Sequence, residues 1–207
     1  MALCTDLQYF TTINSFIDLV KTSDIYFQPE QIFKRSTFRN RMMVPASNGI
    51  IQLSIPVVGG RSCKLPYGEV IIDYKSNWQK NHFHTLATVY GNSPWFTHYS
   101  AELETLFSQS PIYLFEWNMM CLDWVIKKTK LTHKITIHQD KIPEITPLLD
   151  KVDFYLPSNY DASEKGPFLE YPQVFIEKIG FKPNMSILDL IFNEGPNTRN
   201  KILSFID

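Results

Sequence analysis

The densest chemistry in this sequence lies between residues 34 and 41, where Lys34, Arg35, Arg39 and Arg41 place four cations within eight positions beside the hydroxyls of Ser36 and Thr37. Arginine presents a planar fork that holds a phosphate or carboxylate through two bonds. In an extended segment Arg39 and Arg41 project to one face, and two like charges there favour an anion between them. No acidic residue stands between Gln31 and Val44. Carboxylates from distant segments, such as Asp24, Glu30 or Asp189, are the alternative partners. The segment then reads either as a phosphate clamp or as a hairpin arm with surface salt bridges.

His82 is the second candidate. It lies four residues after Trp78 and four before Leu86, on the helix face that carries Thr85 and Val89. A histidine there serves as an acid or base near neutral pH, or as a core residue bonded to a backbone carbonyl. His84 faces away from it. His133 and His138 flank a strand and read as structural or exposed. Asp189, Asn193 and Glu194 sit near an apolar helix, where Asp189 is explained as a cap and dipole partner or as a catalytic carboxylate. The polar stretch 157–167 reads as a surface loop, either a plain connection or a lid over a substrate.

Several chemistries are excluded by motif. There is no G-x-S-x-G, no Walker A and no G-x-G-x-x-G, and Gly59-Gly60 lacks the third glycine. No H-E-x-x-H, cysteine–histidine spacing or EF-hand pattern occurs, so the expectation is no bound metal. No motif names a cofactor. The formal charge of −1, from 20 basic and 21 acidic residues, argues against a general nucleic-acid binder. Cys4, Cys63 and Cys121 form no framework, which points to reduced thiols and a cytoplasmic protein. Neither a basic, apolar leader nor an apolar run of about 18 residues is present, so no membrane association is expected.

The elements that must position these residues read as one α/β domain over 1–207. A first helix is expected over 5–22 from Leu7, Phe10, Ile13, Ile17 and Val20, followed by a short buried strand at Asp24. Residues 40–57 predict a hairpin turning at Asn48-Gly49, and 69–73 a further strand. The centre is helical: 78–90 between Asn77 and Gly91, a second helix opened by Pro94, and a third from Pro111 to about Lys130. Strands are expected at 133–138 and 152–156. Helices follow, one from Pro172 to Gly180, one capped by Ser186 and one after Pro196.

Taken together, several segments resemble the WbqC-like family of bacterial proteins. Gln8-Tyr9-Phe10 and Asp24 resemble its opening, and Gln31 with Arg39-Asn40-Arg41 its next segment. Asn48-Gly49 and Leu53 to Pro56 resemble its hairpin, and Trp78, His82, Tyr90, Pro94 and Phe96 its central helices. Tyr171, Gln173 and Phe175, then Pro183 to Gly195, resemble its closing signature. The family's opening often carries a proline-rich turn where this chain has Thr11-Thr12. The resemblance implies a link to loci for lipopolysaccharide O-antigen and other surface polysaccharides, and it brings no catalytic residue.

The resulting expectation is a transferase of surface-polysaccharide or activated-sugar metabolism acting on an anionic, nucleotide-linked small molecule. Arg39 and Arg41 hold the anion, His82 moves a proton, and Gln8, Tyr9, Gln31 and Asn40 orient the substrate. The alternative is a non-catalytic binding or interaction protein in the same pathway, using the basic segment with Trp95, Phe96 and Tyr99.

Overall fold

A computed structural model of the chain describes residues 2–131, 136–138 and 148–206. Its centre is a parallel sheet of four short strands: β1 (Ala2–Thr5), β2 (Asp24–Tyr26), β5 (Thr136–His138) and β6 (Leu148–Lys151), in the order β5-β2-β1-β6. β1 pairs on both edges and every one of its residues is buried. A parallel strand covered on both faces needs an uninterrupted apolar run, and Ala2, Leu3 and Cys4 supply it.

This strand overturns the start of the expected first helix. The helix, α1 (Ile13–Lys21), begins eight residues later than Thr5 and makes the crossover from β1 to β2. Between them residues 6–12 form a buried loop in which Phe10 takes a φ of 42°. The apolar residues of that loop match a helical spacing, but β1 needs its carboxyl end free to enter the core.

The expected hairpin is present as β3 (Arg41–Ala46) and β4 (Gly49–Ser54). Ala46 pairs with Gly49, so the two-residue turn is Ser47-Asn48, one position earlier than expected. Gly49 opens β4 at a φ of 125°, which a side chain rarely tolerates. The strand expected at 69–73 is reduced to two isolated bridges, Val57 with Ile72 and Ile71 with Tyr113.

Three helices follow: α2 (Trp78–Tyr90), α3 (Phe96–Phe107) and α4 (Leu114–Thr129). The bounds of α2 match the sequence reading. Pro94 and Pro111 stand two and three residues ahead of their helices rather than inside them. The strand expected at 152–156 is instead β6, ending at Lys151. Of 133–138, only 136–138 lie among the described residues, and they are β5. The helix expected from Pro172 is a single turn, α5 (Ile176–Ile179), stopped by Gly180 at a φ of 70°. Ser186 caps α6 (Ile187–Glu194) by accepting from the Leu188 amide, and α7 (Thr198–Ile206) closes the chain.

One continuous apolar core joins the sheet to the helices, with Leu3, Phe16, Trp117 and Phe192 all fully buried. A smaller cluster of Phe38, Met43, Tyr155 and Met185 lies under the hairpin. Among the described residues no helix is long and apolar enough to cross a membrane.

The strand order positions the site. From β1 the chain steps to β2 and then β5 on one side, whereas β6 returns on the other. The carboxyl ends of β1 and β6 therefore face a topological switch point, the place where open α/β sheets hold ligands.

Candidate functional site

Three charged side chains converge at that switch point: Asp6 after β1, Asp153 after β6, and Arg39 from the basic segment. Arg39 is only 2% exposed. Its Nε and Nη2 donate to Asp6 Oδ1 at 3.1 and 2.7 Å, its Nη1 to the Ile32 carbonyl at 3.2 Å, and its Nη2 also to Gln31 Oε1 at 3.0 Å. Asp6 Oδ2 accepts the Asp153 amide at 2.9 Å, and Asp153 Oδ1 lies 3.7 Å from Nη2. The guanidinium also lies 5.4 Å from the ring centre of Tyr67, a cation–π contact. Burial pushes the Asp6 carboxyl up, and the Arg39 charge and hydrogen bonds pull it back down.

The position that usually receives a ligand is thus filled by a satisfied ion pair. Asn118 fastens it further by donating to the Arg39 carbonyl at 2.6 Å, while Tyr67 donates to the Leu7 carbonyl at 2.7 Å. Breaking such a buried pair from one side costs about 3–5 kcal/mol. Arg39 and Gln31 hold the basic loop to the sheet.

Arg41 has a different fate. It opens β3, half-buried, and its Nη2 donates to Ser36 Oγ at 3.0 Å and its Nη1 to Gln52 Oε1 at 3.4 Å. Its Nε is buried without a partner, and it meets no carboxylate among the described residues. Burial and the neighbouring Arg35 both lower its pKa. The guanidinium lines an open hollow of about 470 Å³ with Ser36, Gln52 and Ser158, over an apolar floor of Met43 and Ile50. Ser36 takes a φ of 66° and Asp153 one of 53°, uncommon for residues with a Cβ.

The remaining predicted site residues lie elsewhere. Gln8 is buried, and its Oε1 accepts from the Thr12 amide at 3.0 Å and Thr11 Oγ1 at 3.3 Å, which closes the turn into α1. Asn40 donates to the Ile55 carbonyl at 3.0 Å and ties the two hairpin arms together. Tyr9 is buried with its hydroxyl 3.0 Å from His82 Nδ1. His82 itself is 6% exposed and packs edge-on against Trp78. Burial depresses its pKa to about 4, against the opposing pull of a hydrogen bond to the backbone of Ser54.

The structure therefore does not bring Arg39, Arg41 and His82 into one pocket. Arg39 turns inward, Arg41 outward, and His82 belongs to an aromatic cluster lining neither space. Of the aromatic residues expected to form an interaction surface, Phe96 and Tyr99 are core and Trp95 is half-buried against Gly195. Asp189 is fully buried, accepting from Tyr171, from Gln173 Nε2 at 2.7 Å and from Asn193 Nδ2 at 3.3 Å. Asp6 and Asp153, rather than Asp24, Glu30 or Asp189, are the partners of Arg39. Among the described residues no group of three or more acidic, cysteine or histidine side chains is placed to hold a metal ion.

A family model described as "WbqC-like protein family" matches residues 8–150. The match includes Gln8, Tyr9, Gln31, Arg39, Asn40, Arg41 and His82 and ends before Asp153, the 157–167 loop and the closing segment 171–195 with Asp189. No curated protein and no solved structure matches the chain.

Proposed function

The chain belongs to the WbqC-like protein family, and from that premise and the hollow beside Arg41 we propose that it binds an anionic small molecule there, in surface-polysaccharide or activated-sugar metabolism. The observation that carries the reading is Arg41: a half-buried guanidinium, flanked by Arg35, with an unpartnered Nε and no carboxylate among the described residues. A cation kept in that state is stabilised by any oxyanion that enters. Ser36, Gln52 and Ser158 add neutral hydrogen-bonding groups at the rim. The volume accommodates the phosphate end of a nucleotide-linked sugar.

Of the two expected roles, the binding role fits this geometry better than transfer. Among the described residues the hollow's wall carries no histidine or carboxylate, and His82 is buried and held neutral away from it. A transferase reading has one support, the Asp6–Arg39–Asp153 cluster at the switch point of the sheet. It requires that cluster to open. Gln31 and Arg39 are accordingly proposed as residues that position the loop, and Arg41 as the residue that touches the ligand.

The test is a titration of inorganic phosphate, a nucleotide-sugar and a neutral sugar into wild type and Arg41→Ala at two salt concentrations. The two anions should bind wild type, weaken as salt rises, and lose affinity in the variant. Equal binding of all three ligands to both proteins would rule the reading out. Turnover of the nucleotide-sugar by wild type would instead favour the transferase.

A further inference from the structure

A second cavity opens beside the segment that follows β6. It measures about 180 Å³ and lies between α1, the chain at 151–155 and the short turn Ser163–Lys165, with Phe205 of α7 on one wall. It shares no lining residue with the Arg41 hollow. Three lysines border it, Lys21, Lys151 and Lys165, against two carboxylates, Asp18 and Glu164. Asp18 is already engaged, since its Oδ2 accepts from Lys151 Nζ and from the Tyr155 hydroxyl, each at 2.7 Å.

Lys165 has no such partner. It is 9% exposed, yet among the described residues its ammonium meets no carboxylate and no hydrogen-bond acceptor. It lies 3.5 Å from the ring centre of Phe154. Lysines are almost never buried to this degree unless paired. The cation–π contact offsets part of the lost hydration and covers only one side of the ammonium. The backbone around it is fastened: Asn14 Nδ2 donates to the carbonyls of Lys165 at 2.7 Å and Pro167 at 2.9 Å. The cation is thus presented to the cavity by a pinned turn.

We infer that this cavity binds a small monocarboxylate, with its carboxylate on Lys165 Nζ and its carbon skeleton against Phe154 and Phe205. The lining carries one positive charge in excess, which a singly charged carboxylate neutralises and a doubly charged phosphate would overcompensate. The rings of Phe154 and Phe205 give an otherwise polar wall a small apolar surface, which suits a short carbon skeleton. The site is independent of the anion hollow proposed above, so either can fail without the other.

Calorimetric titration of lactate into full-length Arg41→Ala protein, in which the other anion hollow is disabled, tests this, with lactamide and inorganic phosphate as comparison probes. That protein should bind lactate saturably and in preference to both. Adding Lys165→Met should weaken lactate binding about tenfold or more, the loss of one charge-assisted bond. Absence of lactate binding to Arg41→Ala, equal affinity after Lys165→Met is added, or tighter binding of phosphate to Arg41→Ala each overturns the assignment. Should Lys165→Met fail to fold, acetylation of Lys165 in wild type, mapped by mass spectrometry, decides. Lactate should protect that lysine, and equal labelling with and without it refutes the site.

Discussion

Replacing His82 by glutamine separates a proton-transfer role from a structural one. The ring is buried and its pKa lies near 4 instead of 6.5. The folded state therefore takes up its proton later than the unfolded chain as the solution is acidified. Between those two values the unfolded state binds more protons, so stability rises with pH, is complete above about 6.5, and is lost as pH falls toward 4. At about 1.4 kcal/mol per decade of acidity, this is worth about 3 kcal/mol. Asp189 works in the opposite direction. Burial raises its pKa from 3.8 to about 6, so its contribution is full below about 3.8 and is lost as pH rises through 6, again by roughly 3 kcal/mol. In wild type the two slopes oppose each other, and Asp6, whose pKa is also raised, adds to the Asp189 side. Urea denaturation from about pH 7.5 to about pH 4 compares each variant with wild type. His82→Gln should gain stability relative to wild type on acidification by about 3 kcal/mol, and Asp189→Asn should lose a similar amount, each on top of a pH-independent offset. Parallel profiles for wild type and His82→Gln would refute the reasoning, because an accessible histidine that shuttles protons near neutrality titrates alike in both states.

Three further outcomes follow from the packing. Arg39→Ala leaves the Asp6 carboxylate buried without its guanidinium and should cost about 3–5 kcal/mol in denaturant melts, whereas Arg41→Ala, at the half-exposed rim, should cost less than about 1 kcal/mol. Gly195 has a φ of 53°, and a Cβ there would stand 2.3 Å from the Trp95 ring, so Gly195→Ala should destabilise by about 2–4 kcal/mol, read as a lower melting temperature. Native-state alkylation should modify Cys63, which is partly accessible, well before Cys4 and Cys121, both buried. Burial pushes the Cys4 thiol up to about 12 and raises that of Cys121, so early labelling of either would contradict the core assignment.

The sequence was most legible where a local rule decides the structure. Asn77 and Gly91 flank α2 as expected, although Asn77 makes no side-chain capping bond and Gly91 stays right-handed at a φ of −53°, and the Asn-Gly dipeptide marks the hairpin to within one residue. It was least legible where distant pairing overrides a local period. The apolar spacing from Leu7 to Phe10 continues the pattern of α1, yet β1 needs partners at 24–26 and 148–151 that no local window contains. The site was half legible for the same reason. The cation cluster at 34–41 is visible at once, but alternate positions share a face only within a strand, and β3 starts at Arg41. Arg39 lies outside that strand and turns to Asp6. Its partners Asp6 and Asp153 are 33 and 114 residues distant, and nothing local announces them. Lys165 gave still less signal, since a lysine in a polar loop reads as solvated until the packing of Phe154 is seen.

The division of labour within the basic segment also explains why two of its cations, Arg35 and Arg41, meet no carboxylate among the described residues. Lys34 pairs with Asp153 at 2.5 Å, and Arg39 takes Asp6. The acidic side chains at the switch point are thereby spent on the two cations that anchor the loop. What remains is Arg41 beside Arg35, with repulsion and partial burial both acting against its charge. A fold under no other demand would relieve that state by turning Arg41 into water or by placing a carboxylate within reach. Here the strand register fixes Arg41 opposite Ser54, with Gln52 two positions away, so the available partners are neutral amide and hydroxyl groups. On the proposed reading, the inner ion pair holds the outer arginine where an anion completes its coordination; among the described residues no carboxylate does so. Such an arrangement lowers the ordering cost of binding, because the side chain is already placed before the ligand arrives.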